Sequence, residues 1–524
     1  MSTSALILGL LLGVVILATL ARKTRIPYPI WLVLGGLALG FFPGLPTISL
    51  QPDLVLLLFL PPLVYADAWF TSWRDFRANL RPISLLAIGL VVFTTVLVAV
   101  AAHALVPGFS WAAAFVLGAI VSPTDTIAVT VIAQRLPLPR RILTVVEGES
   151  LVNDATGLVV YRFAVAAAVT GSFSLLEASG QFFLVSIGGV LFGLVVGWLG
   201  VWLERQIDDI PVQITLSLLI PFAAYLPANA LNISGILAAV TAGIYAGYRG
   251  PMTISAEVRL QSASVWNFLI FVLNGVLFIL VGLQLRRILT ALSAIAWGDL
   301  VRWGVLISMA VILVRILWIF PVTYLSRWLS PRLSARDPSP PWQYPAALSW
   351  MGIRGVLSLA AALALPLAIA SQQRDLIIFL TLCVILATLL LQGLTLPALI
   401  RWLHLSADDD GVLKEEEAQA RVVAARAALT RLDELETANA APAMVFTHLR
   451  AQYTHRIHRA DTSAEAEEAS HDREVADQVV QVQQALLDAE RAAVIKLRND
   501  GEVGDDVLRQ IEHELDLDQL RLAP

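Results

Sequence analysis

The chain has 524 residues, 57% of them hydrophobic and only 15% charged, with a formal net charge of −5. That apolar excess lies well above the composition of a soluble domain and excludes a chain that is water-soluble throughout. The charge is segregated: residues 1–404 sum to +8 and residues 405–524 to −13, so the total gives no basis for a nucleic-acid partner, and none is expected.

In chain order, the first apolar run, Ala5 to Ala21, has no basic residue before it and Arg22, Lys23 and Arg25 after it. A cleaved signal peptide carries its basic flank first, so this run reads as a retained membrane span. Hydropathy places thirteen spans near the roughly 20-residue length a bilayer needs. They cover 4–21, 28–42, 53–70, 83–105, 111–134, 142–170, 180–203, 211–228, 233–249, 262–285, 300–326, 344–370 and 375–402. Connections after odd-numbered spans, with the flanks that follow them, hold sixteen Lys or Arg, and those after even-numbered spans hold three. Basic connections stay in the cytoplasm, which puts the N-terminus outside and the acidic tail inside. The lone Cys383 lies in an apolar span, so no intrachain disulfide is possible.

Two spans are interrupted. The fifth contains Ser122-Pro123-Thr124-Asp125, where proline removes a backbone donor and clashes with the preceding turn. The twelfth contains Gly352-Ile353-Arg354-Gly355 at mid-span. Breaks at corresponding places in two halves point to a transporter site between inverted repeats, here spans 1–6 and 8–13 about a linker span at 180–203. Asp125 could offset exposed N–H groups at one break and Arg354 exposed carbonyls at the other.

The sixth span carries Glu147-Gly-Glu149-Ser150-Leu-Val-Asn153-Asp154. Ionisable groups at that depth are costly and normally face a bundle interior or a water-filled cavity. On a helix, Ser150 and Asp154 lie about 40° apart with Glu147 about 20° beyond Asp154, while Glu149 and Asn153 form a second pair roughly 100° away. Asp154 therefore reads as the ion site. Glu149 reads as a structural carboxylate needing a buried base, either Arg315 deep in span eleven or Arg354. Glu147, five residues inside the cytoplasmic edge, is equally a solvated funnel residue or a ligand. Arg162 and Arg302 sit near span ends and read as snorkelling side chains, and Asp67 and His103 as interfacial. The ladder Gly189, Gly193, Gly197 has close-packing spacing, with a dimer contact as the sharper reading.

Hard monovalent cations take oxygen ligands, which Asp154, Ser150, Thr124 and carbonyls freed at the broken fifth span can supply. A carboxylate that holds either Na⁺ or H⁺ is by itself an exchange device, and because Asn153 cannot titrate, a single carboxylate points to one Na⁺ per H⁺. A monovalent cation channel or ion-gated sensor is the alternative, disfavoured because no ring of filter residues is present. A membrane enzyme fits less well: Gly148-Glu149-Ser150 lacks the second glycine of a nucleophile elbow and no HExxH motif occurs. Neither a catalytic residue nor a cofactor beyond the transported ions is expected.

Pro61-Pro62, Ser122-Pro123-Thr124-Asp125, the Glu147–Asp154 stretch and Gly352-Ile353-Arg354-Gly355, in this order and spacing, resemble the sodium/proton exchangers of the cation:proton antiporter-1 family, bacterial members above all, over about residues 1–404. The resemblance implies an all-α polytopic membrane fold of thirteen helices in two inverted repeats with crossed broken helices. It implies a core (83–170 and 300–402) that moves against a dimerisation domain (4–70 and 211–285), hence a homodimer in the bacterial inner membrane, with membrane lipid, Na⁺ and H⁺ as its partners. By the same resemblance Asp154 carries the ion, Thr124, Asp125, Ser150 and Asn153 are ligands or support, Asn153 also marks the branch, and Glu149 pairs with Arg315 in preference to Arg354.

The tail, 405–524, is read as soluble and helical. Leu413–Thr437, Arg473–Arg498 and Asp505–Leu520 have helical periodicity, with Gly501 and Gly504 as stops. His448, His455, His458 and His471 raise the idea of a pH sensor, against the plainer reading of exposed histidines on a polar helix.

Overall fold

A computed structural model of the chain describes residues 3–24, 26–41, 52–133, 138–170, 175–250, 254–329, 339–366, 369–405, 409–437 and 443–462, with single positions beyond. The described residues are helical, with no strand among them. The chain divides into two compact units, Met1–Ala407 and Asp408–Pro524.

In the first unit the helices are α1 (Thr3–Thr24), α2 (Tyr28–Gly40), α3 (Pro52–Phe70), α4 (Trp73–Ala78), α5 (Leu80–Ser84), α6 (Val91–Leu105), α7 (Trp111–Val121), α8 (Ile127–Ala133) and α9 (Arg140–Thr170). They continue as α10 (Leu175–Glu204), α11 (Ile210–Ala230), α12 (Gly235–Arg249), α13 (Ala256–Ala291), α14 (Trp297–Leu329), α15 (Gln343–Trp350), α16 (Val356–Leu363), α17 (Ser371–Ala387) and α18 (Gly393–Trp402). Among the described residues seven stretches are long and apolar enough to cross a membrane: Leu80–Leu105, Arg140–Thr170, Gly180–Glu204, Ile210–Ala230, Glu257–Ala291, Trp297–Leu329 and Ser371–Trp402. Tyr28–Gly40, Leu57–Phe70 and Trp111–Val121 are shorter apolar helices.

Helix starts follow local chemistry. Ser110, Asp209, Ser234 and Ser255 each accept a hydrogen bond from the backbone N–H three residues on, satisfying one orphan donor of α7, α11, α12 and α13. Among the described residues two π-helical turns interrupt longer helices, Leu85–Leu90 between α5 and α6 and Thr388–Gln392 between α17 and α18. Such turns leave carbonyls and side chains off the regular ladder. In the first, the Leu85 carbonyl accepts from Trp318 Nε1 at 3.2 Å.

Packing forms two main apolar clusters. One joins α6, α7, α9, α14, α15, α17 and α18 with α2 and α13; the other joins α3, α10, α11 and α12. The glycine ladder of α10 lies on α12 of the same chain: Gly189 faces Ser234, Gly193 faces Ala238 and Gly197 faces Ala242, and a Cβ at any of them would press on that helix. The ladder is thus a close helix contact within the chain.

The second unit contains α19 (Asp409–Thr437) and α20 (Ala443–Thr462), packed together as a hairpin. Arg450 reaches across it to Asp433 and Glu436, each at 2.6 Å. The helix expected over 413–437 is present, and α20 was not anticipated; its polar sequence gave little periodicity to read. His448 and His458 are exposed, whereas the side chain of His455, and His471, Gly501 and Gly504, lie outside the described residues. So does most of 473–498 and of 505–520.

Candidate functional site

The fifth-span break runs through residues 122–126 between α7 and α8, and the twelfth-span break through residues 351–355 between α15 and α16. The two breaks touch: Asp125 N donates to Ile353 O at 2.8 Å, pairing backbone groups that neither helix can satisfy. The approach is so close that a Cβ on Gly355 would overlap the Asp125 carboxylate, and one on Gly352 would overlap the Arg315 side chain. Glycine is therefore required at both positions for space rather than for turn conformation.

Charges and helix ends are matched by sign. Asp125 Oδ1 accepts from Ile127 N at 2.8 Å at the start of α8. Arg354 Nε donates to the carbonyl of Val121, the last residue of α7, at 2.9 Å, and its Nη1 donates to Gly352 O. Its own backbone N donates to Thr388 Oγ1 at 3.0 Å, so the second π turn supports the twelfth-span break. Arg354 is 1% exposed, and its Nη2 has no hydrogen-bond partner among the described residues.

Helix α9 holds the fifth-span break through three side chains. Thr124 Oγ1 donates to Glu149 Oε1 at 3.1 Å, Asn153 Nδ2 donates to Thr124 Oγ1 at 2.7 Å, and Ser150 Oγ donates to Thr124 O at 3.0 Å. Glu149 faces Arg315 in a bidentate pair, Nη1 to Oε1 at 2.5 Å and Nη2 to Oε2 at 2.8 Å. Both partners are 1% exposed, and Arg315 Nε also donates to Leu348 O at 3.1 Å. The fork geometry satisfies both carboxylate oxygens, the condition for keeping an ion pair charged in a buried place.

On the other face of α9 lies a cavity with about 650 Å³ of open volume. Asp154, Ser150, Thr124 and Asp125 line it together with Ser358 from α16, Asp67 from α3 and Asn274 from α13. Asp154 is half-buried, and Asp67 is the more exposed of the two. A smaller space, bounded by Pro123, Gly157 and Tyr161, also borders Asp154. Asp154 therefore sits where two spaces meet. The polar lining is all oxygen donors apart from the Asn274 amide nitrogen, a set suited to a hard cation.

The cavity gathers Thr124, Asp125, Ser150 and Asp154 but not the whole expected ligand set. Asn153 is 1% exposed, is turned toward Thr124 and Glu149, and is absent from the cavity lining. Asp67, read from its place at a span end as interfacial, instead faces Asp154 across the cavity, within electrostatic reach of Asp125 and Glu147 as well. Position along a span does not report what lies opposite, so the span-end reading did not anticipate this place in the cavity lining. Asn274 is a second residue the sequence reading passed over. It is 1% exposed, and neither its amide nitrogen nor its oxygen has a partner among the described residues. A lone amide inside the apolar run 268–281 was the signal that could have found it. His103 Nδ1 donates to Phe109 O at 2.7 Å, and the ring stacks on Trp111, outside the cavity. Arg162 donates to Asn229 at 3.1 Å.

Comparison with known proteins places this geometry in a family. The profile of transmembrane sodium/hydrogen exchangers matches residues 8–402. An uncharacterized Na⁺/H⁺ exchanger of Mycobacterium tuberculosis is 38% identical over 532 aligned positions, covering 98% of this chain and 95% of the relative. The sodium, potassium, lithium and rubidium/H⁺ antiporter of Bacillus subtilis is 34% identical over 391 positions, which cover 71% of this chain and 58% of that protein. Among solved structures, the sodium proton antiporter MjNhaP1 from Methanocaldococcus jannaschii at pH 8 superposes with a TM-score of 0.61, covering 76% of this chain and 98% of that one. At 18% identity that likeness concerns the fold alone. A profile match spanning nearly the whole first unit, joined to a relative aligned almost end to end, makes this chain a multi-pass member of the sodium/hydrogen exchanger family, whose members are transporters rather than enzymes.

Proposed function

We propose that the chain is a secondary antiporter that exchanges a monovalent cation for H⁺ at Asp154 by alternating access. Na⁺ is the first candidate, with Li⁺ and K⁺ as further substrates; the B. subtilis relative, named for four alkali cations, supports that breadth. The observation that carries the reading is the cavity shared by Asp154, Ser150 and the broken fifth span, with a second space bordering the same carboxylate. A cation and a proton compete for one carboxylate, so loading one releases the other. With one titrating group in the exchange step, the cycle is electroneutral at one cation per proton.

In this reading thirteen helices cross the bacterial inner membrane in two inverted repeats, N-terminus outside and tail in the cytoplasm. The core, 83–170 and 300–402, moves against 4–70 and 211–285, which also form the homodimer. Asp67 lies near the end of the third span, which is then its cytoplasmic end, and the cavity is the inward-facing entry. Thr124, Asp125 and Ser150 support the ion, Glu149 and Arg315 brace the core, and Arg354 compensates the exposed helix end. Under the proton motive force such a cycle expels Na⁺ and serves pH and sodium homeostasis.

The test is reconstitution of the full chain in sealed proteoliposomes with an imposed pH gradient. Adding Na⁺, Li⁺, K⁺ or Rb⁺ is expected to collapse the gradient without a current and without dependence on a clamped potential. A proton flux that requires a counter-current overturns the antiport reading, and a voltage-dependent rate overturns the one-to-one stoichiometry.

A further inference from the structure

A second, partly open pocket lies away from the ion site, among the π turn Leu85–Leu90 and helices α5, α9, α14 and α15. Three arginines from three separate segments line it: Arg81, the second residue of α5, Arg141, the second residue of α9, and Arg327 in the last turn of α14. Thr323, Ser326 and Tyr344 add hydroxyls. Arg141 stands in the first turn of a 31-residue helix, where the peptide dipoles already present positive charge. Helix stability does not favour a cation there, but an anion gains from both. Its neighbour Arg140 is ion-paired with Asp75 at 2.7 Å and does not line the cavity.

Beneath the arginines the wall is apolar. Leu86, Val145 and Ile319 are each at most 5% exposed and form, with Leu90, an apolar cluster separate from the two main ones. One end of the cavity thus suits a phosphate and the other a hydrocarbon chain. Arg81, Arg141 and Arg327 also belong to connections that the charge bias puts on one membrane face, at headgroup depth. Basic pockets between membrane helices at that level suit anionic headgroups.

We propose that this cavity is a binding site for an anionic phospholipid. Arg81, Arg141 and Arg327 hold the phosphate, and the upper acyl chain lies on Leu86, Val145 and Ile319. The lipid would tie the starts of α5 and α9 to the end of α14, the helix that carries Arg315, and so brace the core from the membrane surface. It does not require the antiport reading.

The experiment uses the purified, delipidated full chain in an uncharged detergent, with phosphatidylglycerol, phosphatidylcholine and soluble glycerol 3-phosphate as probes. Lipid retention is followed by native mass spectrometry and stability by thermal melting. Phosphatidylglycerol is expected to be retained at least tenfold better than phosphatidylcholine and to raise the melting midpoint with dose, since a ligand that binds only the folded state stabilises it. Arg81→Gln/Arg141→Gln/Arg327→Gln is expected to lower phosphatidylglycerol retention at least tenfold, and Arg140→Gln to leave it unchanged. Equal retention of the two lipids overturns the proposal, as does unchanged retention in the triple variant or an equal loss in Arg140→Gln. An equal melting shift from glycerol 3-phosphate alone also overturns it, in favour of a soluble phosphate site. Should the triple variant not fold, Arg327→Gln alone, expected to weaken retention several-fold, and the lipid comparison on the unmodified chain decide.

Discussion

Neutralising one partner of the Glu149–Arg315 pair is expected to destabilise the protein far more than neutralising both. Each partner is 1% exposed, the guanidinium meets both carboxylate oxygens, and a further bond runs from Arg315 to Leu348 O and another from Thr124 to Glu149. Glu149→Gln leaves a buried guanidinium without its counter-charge, and Arg315→Met leaves a buried carboxylate. Removing one partner of such a pair costs about 3–5 kcal/mol, whereas replacing both by uncharged groups is often nearly neutral. The double variant Glu149→Gln/Arg315→Met is therefore expected within about 2 kcal/mol of the parent, allowing for the lost bonds to Leu348 and Thr124. The resulting coupling of several kcal/mol stands well clear of the about 0.3–0.5 kcal/mol scatter of independent sites. Denaturation of the four proteins in one detergent, read by tryptophan fluorescence and by size exclusion, gives the cycle. Additive single effects would refute the reasoning. So would a Glu149→Gln variant that keeps parental stability yet loses cation-dependent proton flux, because it would move Glu149 from the brace to the ion path.

The other predictions concern the cavity and the breaks. Asp154→Asn is expected to lower cation-dependent proton flux in proteoliposomes at least a hundredfold while the protein still inserts and melts as a folded species; surviving exchange would remove Asp154 from its role. Asn274→Leu swaps an unpartnered buried amide for an apolar side chain of similar size, so stability should hold or rise, by up to about 1–3 kcal/mol of relieved desolvation. Its apparent KM for the cation should rise several-fold, and an unchanged KM would leave Asn274 outside the ion path. Gly355→Ala drives a methyl into the Asp125 carboxylate and should cost about 1–3 kcal/mol, the range for overpacking, with exchange slowed as the breaks part; parental melting and rate would show that the contact gives way easily.

Much of this site could be read before any coordinates because membranes penalise what soluble domains tolerate. Proline at 123 and the glycines at 352 and 355 mark breaks in otherwise apolar runs, and the acids of α9 stand out against lipid. Helical spacing also separated the α9 face of Glu149 and Asn153 from that of Ser150 and Asp154, and the structure gives the two faces different surroundings. Contacts between distant segments were not legible. Nothing in the spacing says that Asp67, 87 positions before Asp154, closes the same cavity, or that Thr388 meets the backbone of Arg354. The π turns were equally hidden, since one extra residue per turn leaves the apolar pattern of Leu85–Leu90 almost unchanged.

The charge count at the breaks connects the fold to the proposed stoichiometry. Arg315 and Arg354 are the two cations buried at 1% exposure beside the breaks, and Glu149 and Asp125 are the two carboxylates held by bonds to their own surroundings. Those four sum to zero. Asn153 adds no charge, and its amide is engaged by the Thr124 hydroxyl rather than turned to the cavity. Asp67 belongs to α3, which lies outside the moving core of the proposed cycle. That leaves Asp154 as the one carboxylate at the junction of the two spaces whose charge no described side chain balances by an ion pair. A buried negative charge costs less once neutralised, and a proton or one monovalent cation does so equally in net charge. In the proposed cycle the moving core is then neutral in either loaded state and costly to move empty, which would couple the two ions and keep the exchange insensitive to membrane potential.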